Sequence, residues 1–301
     1  MPLIDLPLPS SPSLWLEPVS QAELSLGAFQ RAASALKEPS FPVTRRLSGG
    51  PTLLLAPESL HLVLYLPSPS VLVPDADLPR LLNRHLRPLL RALRRLGLAA
   101  MYPGRDWIAV AHRPAIWVGF AHHGASNACC VEAFLPLDRS FSVPSEQDAS
   151  AIYRSEPPWL GKVPAGLREL SPHPLSLETL HQAVTRAYAT DLGVLWAPGS
   201  FEAGWLRREV RDERPPWAAL RQEAIGLVGA SGPPWAGLGG EFFASEDLMA
   251  AVDRRLEELP RRATRGQLQE VLVAAVEETG GRIEGVCSVD SLLDVLEEAF
   301  A

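Results

Sequence analysis

Lysine is nearly absent from this chain of 301 residues: of 28 basic residues only Lys37 and Lys162 are lysines, and the other 26 are arginines. Chemistry that needs a compact ammonium has two residues to draw on, because arginine's planar fork on a longer stem does not reproduce that contact. Cysteine is also scarce. Three are present, with Cys129 and Cys130 adjacent, which excludes a disulfide framework and makes a reducing cytoplasm the expected location. No apolar run approaches the roughly 20 residues of a membrane span. Residues 1–13 alternate proline with leucine and lack the basic start of a signal peptide. A net charge of −7 argues against general nucleic-acid binding. There is no Walker loop, the glycines of residues 229–240 lack nucleotide-binding spacing, and no zinc-ligand spacing occurs, so no metal ligands are assigned. What remains is 47% hydrophobic content, enough for one large domain and a small one.

The most informative stretch is Thr44-Arg45-Arg46-Leu47-Ser48-Gly49-Gly50-Pro51. Apolar segments at residues 41–43, 52–55 and 60–66 flank it, as expected for a glycine loop joining two strands. Its two arginines could hold a carboxylate or phosphate against exposed N–H groups; on these eight residues alone a hairpin turn with solvated arginines is the favoured account. Alternation predicts strands over residues 13–17 and 23–29, and residues 31–37 read as a short helix ended by Pro39. Residues 77–96 carry leucines at helical spacing, with Asp77 as N-cap, Gly97 as the stop and a kink at Pro88. The arginines on that helix read as a solvated face, with a docking face for an acidic partner as the alternative. Strands follow at residues 107–111, 115–121 and 128–137, then a helix over residues 176–192. Beyond residue 195 the composition shifts: Arg211-Asp212-Glu213-Arg214-Pro215-Pro216 reads as a linker, and helices are expected at residues 248–259, 267–279 and 289–300.

Arg45-Arg46-x-Ser48-Gly49-Gly50 resembles the acyl-wrapping loop of the lipoate–protein ligases, relatives of biotin ligases and octanoyltransferases. The resemblance extends, in order, through Gly27-x-x-Gln30, Gly104-Arg105-Asp106, His122-His123-Gly124, Leu135-Pro136-Leu137-Asp138 and residues 162–170. Gly239-Gly240-Glu241-Phe242-Phe243 resembles a signature of the ligases' small accessory domain. Pro51 stands where the family has a third glycine, the usual valine-x-histidine reads Leu53-Leu54-Leu55, and the helix that opens the family fold has no counterpart. The resemblance implies an α/β (α+β) fold, a mixed sheet flanked by helices over residues 1–195, with a small α+β accessory domain over residues 196–301. It also implies a substrate site built from Arg46, Ser48, Gly49, Gly50, Arg105, Asp106, Gly119 and His123.

In that family a lysine orients the acyl carboxylate and the α-phosphate. The matching stretch, Arg113-Pro114-Ala115-Ile116-Trp117-Val118-Gly119, contains none, leaving Arg113 as the nearest cation and the candidate catalytic residue. Cys129 or Cys130 would serve instead in a cysteine-dependent octanoyl or lipoyl amidotransferase, since nucleophilic catalysis needs a thiolate. Adjacent strand residues point to opposite faces, so one cysteine at most could enter a pocket, and buried structural cysteines are common. Asp106 is expected to brace a turn near the pocket. The function implied is ligation of lipoate or octanoate to the lysine of a lipoyl-type carrier domain through an acyl-adenylate, using ATP and Mg2+. Biotin or another acid is not distinguished. The missing lysine, Pro51 and the missing helix fit a non-catalytic relative that binds a small acid or a carrier protein.

Overall fold

The computed structural model describes residues 9–156, 158–196, 207–210 and 214–301. At its centre β5 (Ser59–Leu66) is buried along its whole length. It pairs antiparallel with β1 (Ser13–Pro18) and β9 (Ala128–Pro136). The sheet continues through β8 (Arg113–His123), β7 (Trp107–Val110) and β6 (Ala100–Met101), giving six strands in the order β1-β5-β9-β8-β7-β6.

Strand alternation divides this sheet into two faces. Leu60, Leu62, Leu64 and Leu66 share one cluster with Leu89 and Leu93 of the helix Arg87–Arg95 and with Leu180, Val184 and Tyr188 of the helix Leu177–Leu192. Trp15, Val63, Tyr65, Ala121 and Cys130 form another cluster with Leu47, at the start of the glycine loop. Cys129 belongs to the first cluster and Cys130 to the second, so the adjacent cysteines do point to opposite faces.

The expected long helix is in three pieces. Asp77 caps a 3-10 turn, Leu78–Arg80, by accepting from the Arg80 N–H at 3.1 Å. Helices Leu81–His85 and Arg87–Arg95 then meet at Leu86, and Pro88 falls in the first turn of the second, where its missing N–H costs nothing. The break therefore precedes the proline by two residues. Ser176 and Gly193 cap the helix Leu177–Leu192 as their residue types require.

A second sheet, order β10-β3-β2-β4, carries the glycine loop and contains a parallel pair, β2 (Glu23–Leu26) with β3 (Val43–Arg46). β4 is Leu53–Leu55 and β10 is Arg207–Glu209. Arg45 and Arg46 thus lie in a strand rather than in the loop. Arg207 pairs with Arg46 across β10 and β3, so residues just before the stretch read as linker are built into this sheet. Arg211, Asp212 and Glu213 of that linker, and residues 1–8 of the proline-rich start, lie outside the described residues. Residues 219–240, whose glycines, prolines and arginines mask any alternation, form three antiparallel strands: Ala219–Gln222, Leu227–Ser231 and Gly237–Gly240. Helices Glu246–Glu257, Arg265–Thr279 and Val289–Phe300 share a core with them. No helix among the described residues is long and apolar enough to cross a membrane.

Buried polar bonds hold the glycine loop on the central sheet. Glu132 of β9 accepts from the Ser48 hydroxyl, from the Ser48 N–H at 3.2 Å, and from His61 Nε2 at 2.6 Å. Burial opposes the Glu132 charge, but these donors and nearby Arg46 outweigh it and hold its carboxyl below the usual carboxylate range. Burial pushes His61 down to about 4, so it is a neutral donor. Arg46 donates to the carbonyls of Ser25 (2.8 Å), Gly49 (2.7 Å) and Pro51 (2.7 Å), and its guanidinium lies 4.2 Å from the centre of the Trp117 ring. A Cβ on Gly49 would collide with the Phe242 carbonyl, which also accepts from the Gly50 N–H at 3.1 Å.

Removing the central acceptor should therefore cost more than removing one donor. Glu132→Ala is expected to lose about 3–5 kcal/mol of stability, as breaking a buried ionic contact does. Ser48→Ala is expected to lose about 1–2 kcal/mol. Urea unfolding of both variants checks this, and equal losses would show that the carboxylate is not the hub.

Candidate functional site

Beside the far end of the glycine loop, at Pro51 and Thr52, opens a cavity of about 650 Å³, within the size range of small-molecule sites. Its floor includes Arg105, Asp106 and Trp107, delivered by a turn at Gly104 (φ +77°) that feeds β7. Trp159 to Pro164 form another wall, with Trp159 and Leu160 held in left-handed backbone geometry (φ +57° and +56°). Such strain in non-glycine residues concentrates at functional segments. Lys162, exposed on that wall, places its ammonium 5.5 Å from the centre of the Trp107 ring. Arg154 bonds Glu241 at 2.5 Å, and Glu241 also accepts from the Leu227 N–H at 3.0 Å, tying the cavity to the C-terminal strands.

The cavity has charged residues of both signs on its walls. Lys162, Arg105 and Arg154 supply cations, and Asp106, Asp148, Glu156, Glu223 and Glu241 supply carboxylates. Asp106 is unusual: it is buried, and its Oδ2 has no hydrogen-bond partner among the described residues. Burial, with a smaller push from Glu241, raises its carboxyl to about 7. It is a proton-carrying group beside a ligand-sized space.

The residues singled out from the sequence are scattered over the fold. Arg105 and Asp106 line the cavity. Arg46, Ser48, Gly49 and Gly50 do not; they form the buried clamp described above, and Arg45 is likewise committed, donating to the carbonyls of Gly27 (3.0 Å), Ala28 (3.2 Å) and Gln30 (2.5 Å). Thus both arginines are bonded to backbone carbonyls, Arg46 to two of the loop's own, and two of the loop's N–H groups, those of Ser48 and Gly50, are already taken. Gly119 faces the loop across β8, but a Cβ there would meet the Trp117 ring at 2.5 Å and Phe243 at 2.7 Å, so aromatic side chains fill the space beside it.

Arg113 lies outside the cavity lining, bonded to Glu169 and to the carbonyls of Val163 (3.0 Å) and Pro164 (3.4 Å). His123 bonds Ser126 at 3.0 Å in the β8–β9 turn, near Asp247. Burial pushes the Cys129 thiol up to about 12 and the Cys130 thiol well above its usual value, the opposite of what a nucleophilic thiolate needs. Arg154, Trp107 and Trp159 were not picked out from the sequence, and Lys162 was noted there without being placed in the site. The rarity of lysine is the one signal that pointed to Lys162.

No family model and no curated protein matches the sequence. Solved structures do. The chain superposes on P. falciparum LipL1 in complex with lipoate with a TM-score of 0.62 at 11% identity, covering 95% of this chain and 85% of that one. A bipartite lipoate protein ligase from Thermoplasma acidophilum, studied with its E2 lipoyl domain, matches with a TM-score of 0.50 at 15% identity, covering 62% of this chain and 73% of that one. The fold is that of the lipoate–protein ligases, as the sequence resemblance implied.

The raised Asp106 carboxyl has a consequence for stability. Between its ordinary value of 3.8 and about 7 the folded chain keeps a proton that the unfolded chain has released. This group's stabilisation is therefore complete below pH 3.8 and lost as pH rises towards 7. Asp106→Asn removes that dependence, so its stability relative to the natural chain should rise by about 2 kcal/mol or more between pH 4 and pH 7.5. Parallel stability curves for the two proteins would contradict the assignment.

Proposed function

We propose that this chain is a lipoate–protein ligase-like acyltransferase. It would bind a small carboxylic acid of the lipoate or octanoate kind and pass it to a lysine on a lipoyl-type carrier domain. The observation that carries this reading is the cavity of about 650 Å³ beside the glycine loop of a ligase fold, with Lys162, Arg105 and Arg154 on its walls. In the reaction the acid's carboxylate attacks the α-phosphorus of ATP, and the bond to pyrophosphate breaks. The carrier's lysine amine then attacks the acyl carbonyl; AMP leaves with the bonding pair, and the nitrogen gives up a proton. Both steps concentrate negative charge where preorganised cations lower the barrier. Lys162 supplies an ammonium from a segment other than the strand that carries the family's lysine. Trp107 and Trp159 offer aromatic walls to a purine ring. Mg2+ brought in on the ATP phosphates would neutralise their charge; no group of three or more metal-ligating side chains is present among the described residues, so the phosphates would supply its ligands there.

A second reading is favoured by the filled space beside Gly119. Trp117 and Phe243 occupy it, with Arg46 over the Trp117 ring, as suits a non-catalytic protein that binds an acid or a carrier domain in the larger cavity alone. The cysteine-dependent route has least support, given both thiols' burial. In either reading we assign residues 1–195 to the ligase-like part and residues 196–301 to an accessory part, and we place the protein in the cytoplasm.

Acid-dependent exchange of pyrophosphate into ATP separates the readings. With octanoate or lipoate, exchange is expected, and Lys162→Met should lower it by about a hundredfold, the scale of removing one preorganised charge contact. Unchanged exchange in that variant would clear Lys162 of the role. No exchange with any acid would leave the binding-protein reading.

A further inference from the structure

A second, less polar cavity of about 320 Å³ adjoins the first, and the two share Arg105, Ala224 and Ile225. It lies beside the part of β8 that continues past the end of β7, between the capped turn at residues 78–80 and the ribbon of Phe243–Ala244 with Ile283–Glu284. Leu78, Leu82, Tyr102, Phe120, Ile225 and Phe243 give it apolar walls. Phe120 and Phe243 stack with ring centres 5.0 Å apart. Arg105 is the one cation among its lining residues, and it stands at the junction, its Nη1 donating to the Ala224 carbonyl at 2.8 Å.

We propose that the acid lies with its aliphatic chain in this second cavity and its carboxylate on Arg105, facing the larger cavity. The inference rests on the proposed function and names the acyl subsite for it. Three observations carry it. The space between Gly50 and Gly119 is closed: a Cβ on Gly50 would meet Trp117 at 3.0 Å and Arg46 at 3.2 Å, and one on Gly119 would meet Trp117 and Phe243. An aliphatic chain has no room there without displacing an indole held by a guanidinium. The second cavity offers apolar area for the chain, at the lower end of the size range of small-ligand sites. Its single cation sits where the larger cavity begins, so a chain of medium length has its carboxylate delivered to the side that carries Lys162 and Arg154. Glu284, the other charged wall residue, has its carboxyl raised by burial, chiefly, and by Asp77. The occupant is an unbranched medium-chain carboxylic acid, with Arg105 reading the carboxylate and Phe120 and Phe243 reading the chain.

The test is photolabelling of the full chain with octanoic acid bearing a terminal diazirine, followed by peptide mapping. Adducts that excess octanoate suppresses are expected on residues 78–82, 120 or 243. Pro79→Trp places a large side chain in the cavity from an exposed position and should reduce that labelling at least tenfold. Octanoate-suppressible adducts on residues 47–51 or 117–119 would overturn the inference while leaving the proposed function standing, as would undiminished labelling in Pro79→Trp. No suppressible labelling anywhere would overturn both.

Discussion

A single buried carboxylate, Glu132, fixes the glycine loop against the central sheet. It lies in the middle of β9, where desolvation alone would keep it neutral, yet Ser48 donates twice to it and His61 once. A buried charge is tolerated only when its lone pairs are filled. Meeting that requirement draws a loop of the second sheet onto the central one. With Ser48 so placed, Gly49 meets the Phe242 carbonyl and Arg46 lies over Trp117, so the loop, β8 and the C-terminal strands are locked in one arrangement. The three groups are not a hydrolytic triad. The carboxylate sits between the hydroxyl and the imidazole, whereas nucleophile activation needs the imidazole in the middle.

The same lock decides where a ligand can go. An arginine pair and a glycine loop suggest an anion cradle, but here the guanidinium groups are spent on backbone carbonyls. Open volume lies instead on the far side of the loop, where Gly104 turns the chain into Arg105, Asp106 and Trp107. The C-terminal strands close that space, with Glu241 bonded to Arg154 and Phe243 against Phe120. Both parts of the chain therefore contribute to the cavity walls.

Much of the fold was legible because its strands are leucine-rich and its helices are capped by residues suited to the task. Leu60, Leu62, Leu64 and Leu66 alternate as a buried strand must, and Ser176 and Gly193 bracket a helix. The strands between residues 207 and 240 were not legible. Their glycines admit the close approach of Trp217 and of other backbone segments, which erases the alternation that marks a strand. The site was legible in part. Arg105 and Asp106 follow from the order of motifs, whereas the burial of Arg46 depends on which carbonyls the folded loop presents to it. Lys162 lines the cavity just after Trp159 and Leu160, whose left-handed geometry no residue type there announces.

The central claim is that the acid lies beside the clamped loop and not within it. The most direct measurement is a crystal structure of the chain with a non-hydrolysable octanoyl-adenylate analogue. The account predicts the nucleotide between Trp107 and Trp159, Arg105 against the acyl carbonyl, and the chain along Phe120 and Phe243, with Trp117 and Arg46 unmoved. An acyl chain threaded between Gly50 and Gly119, with Trp117 swung away, would contradict it.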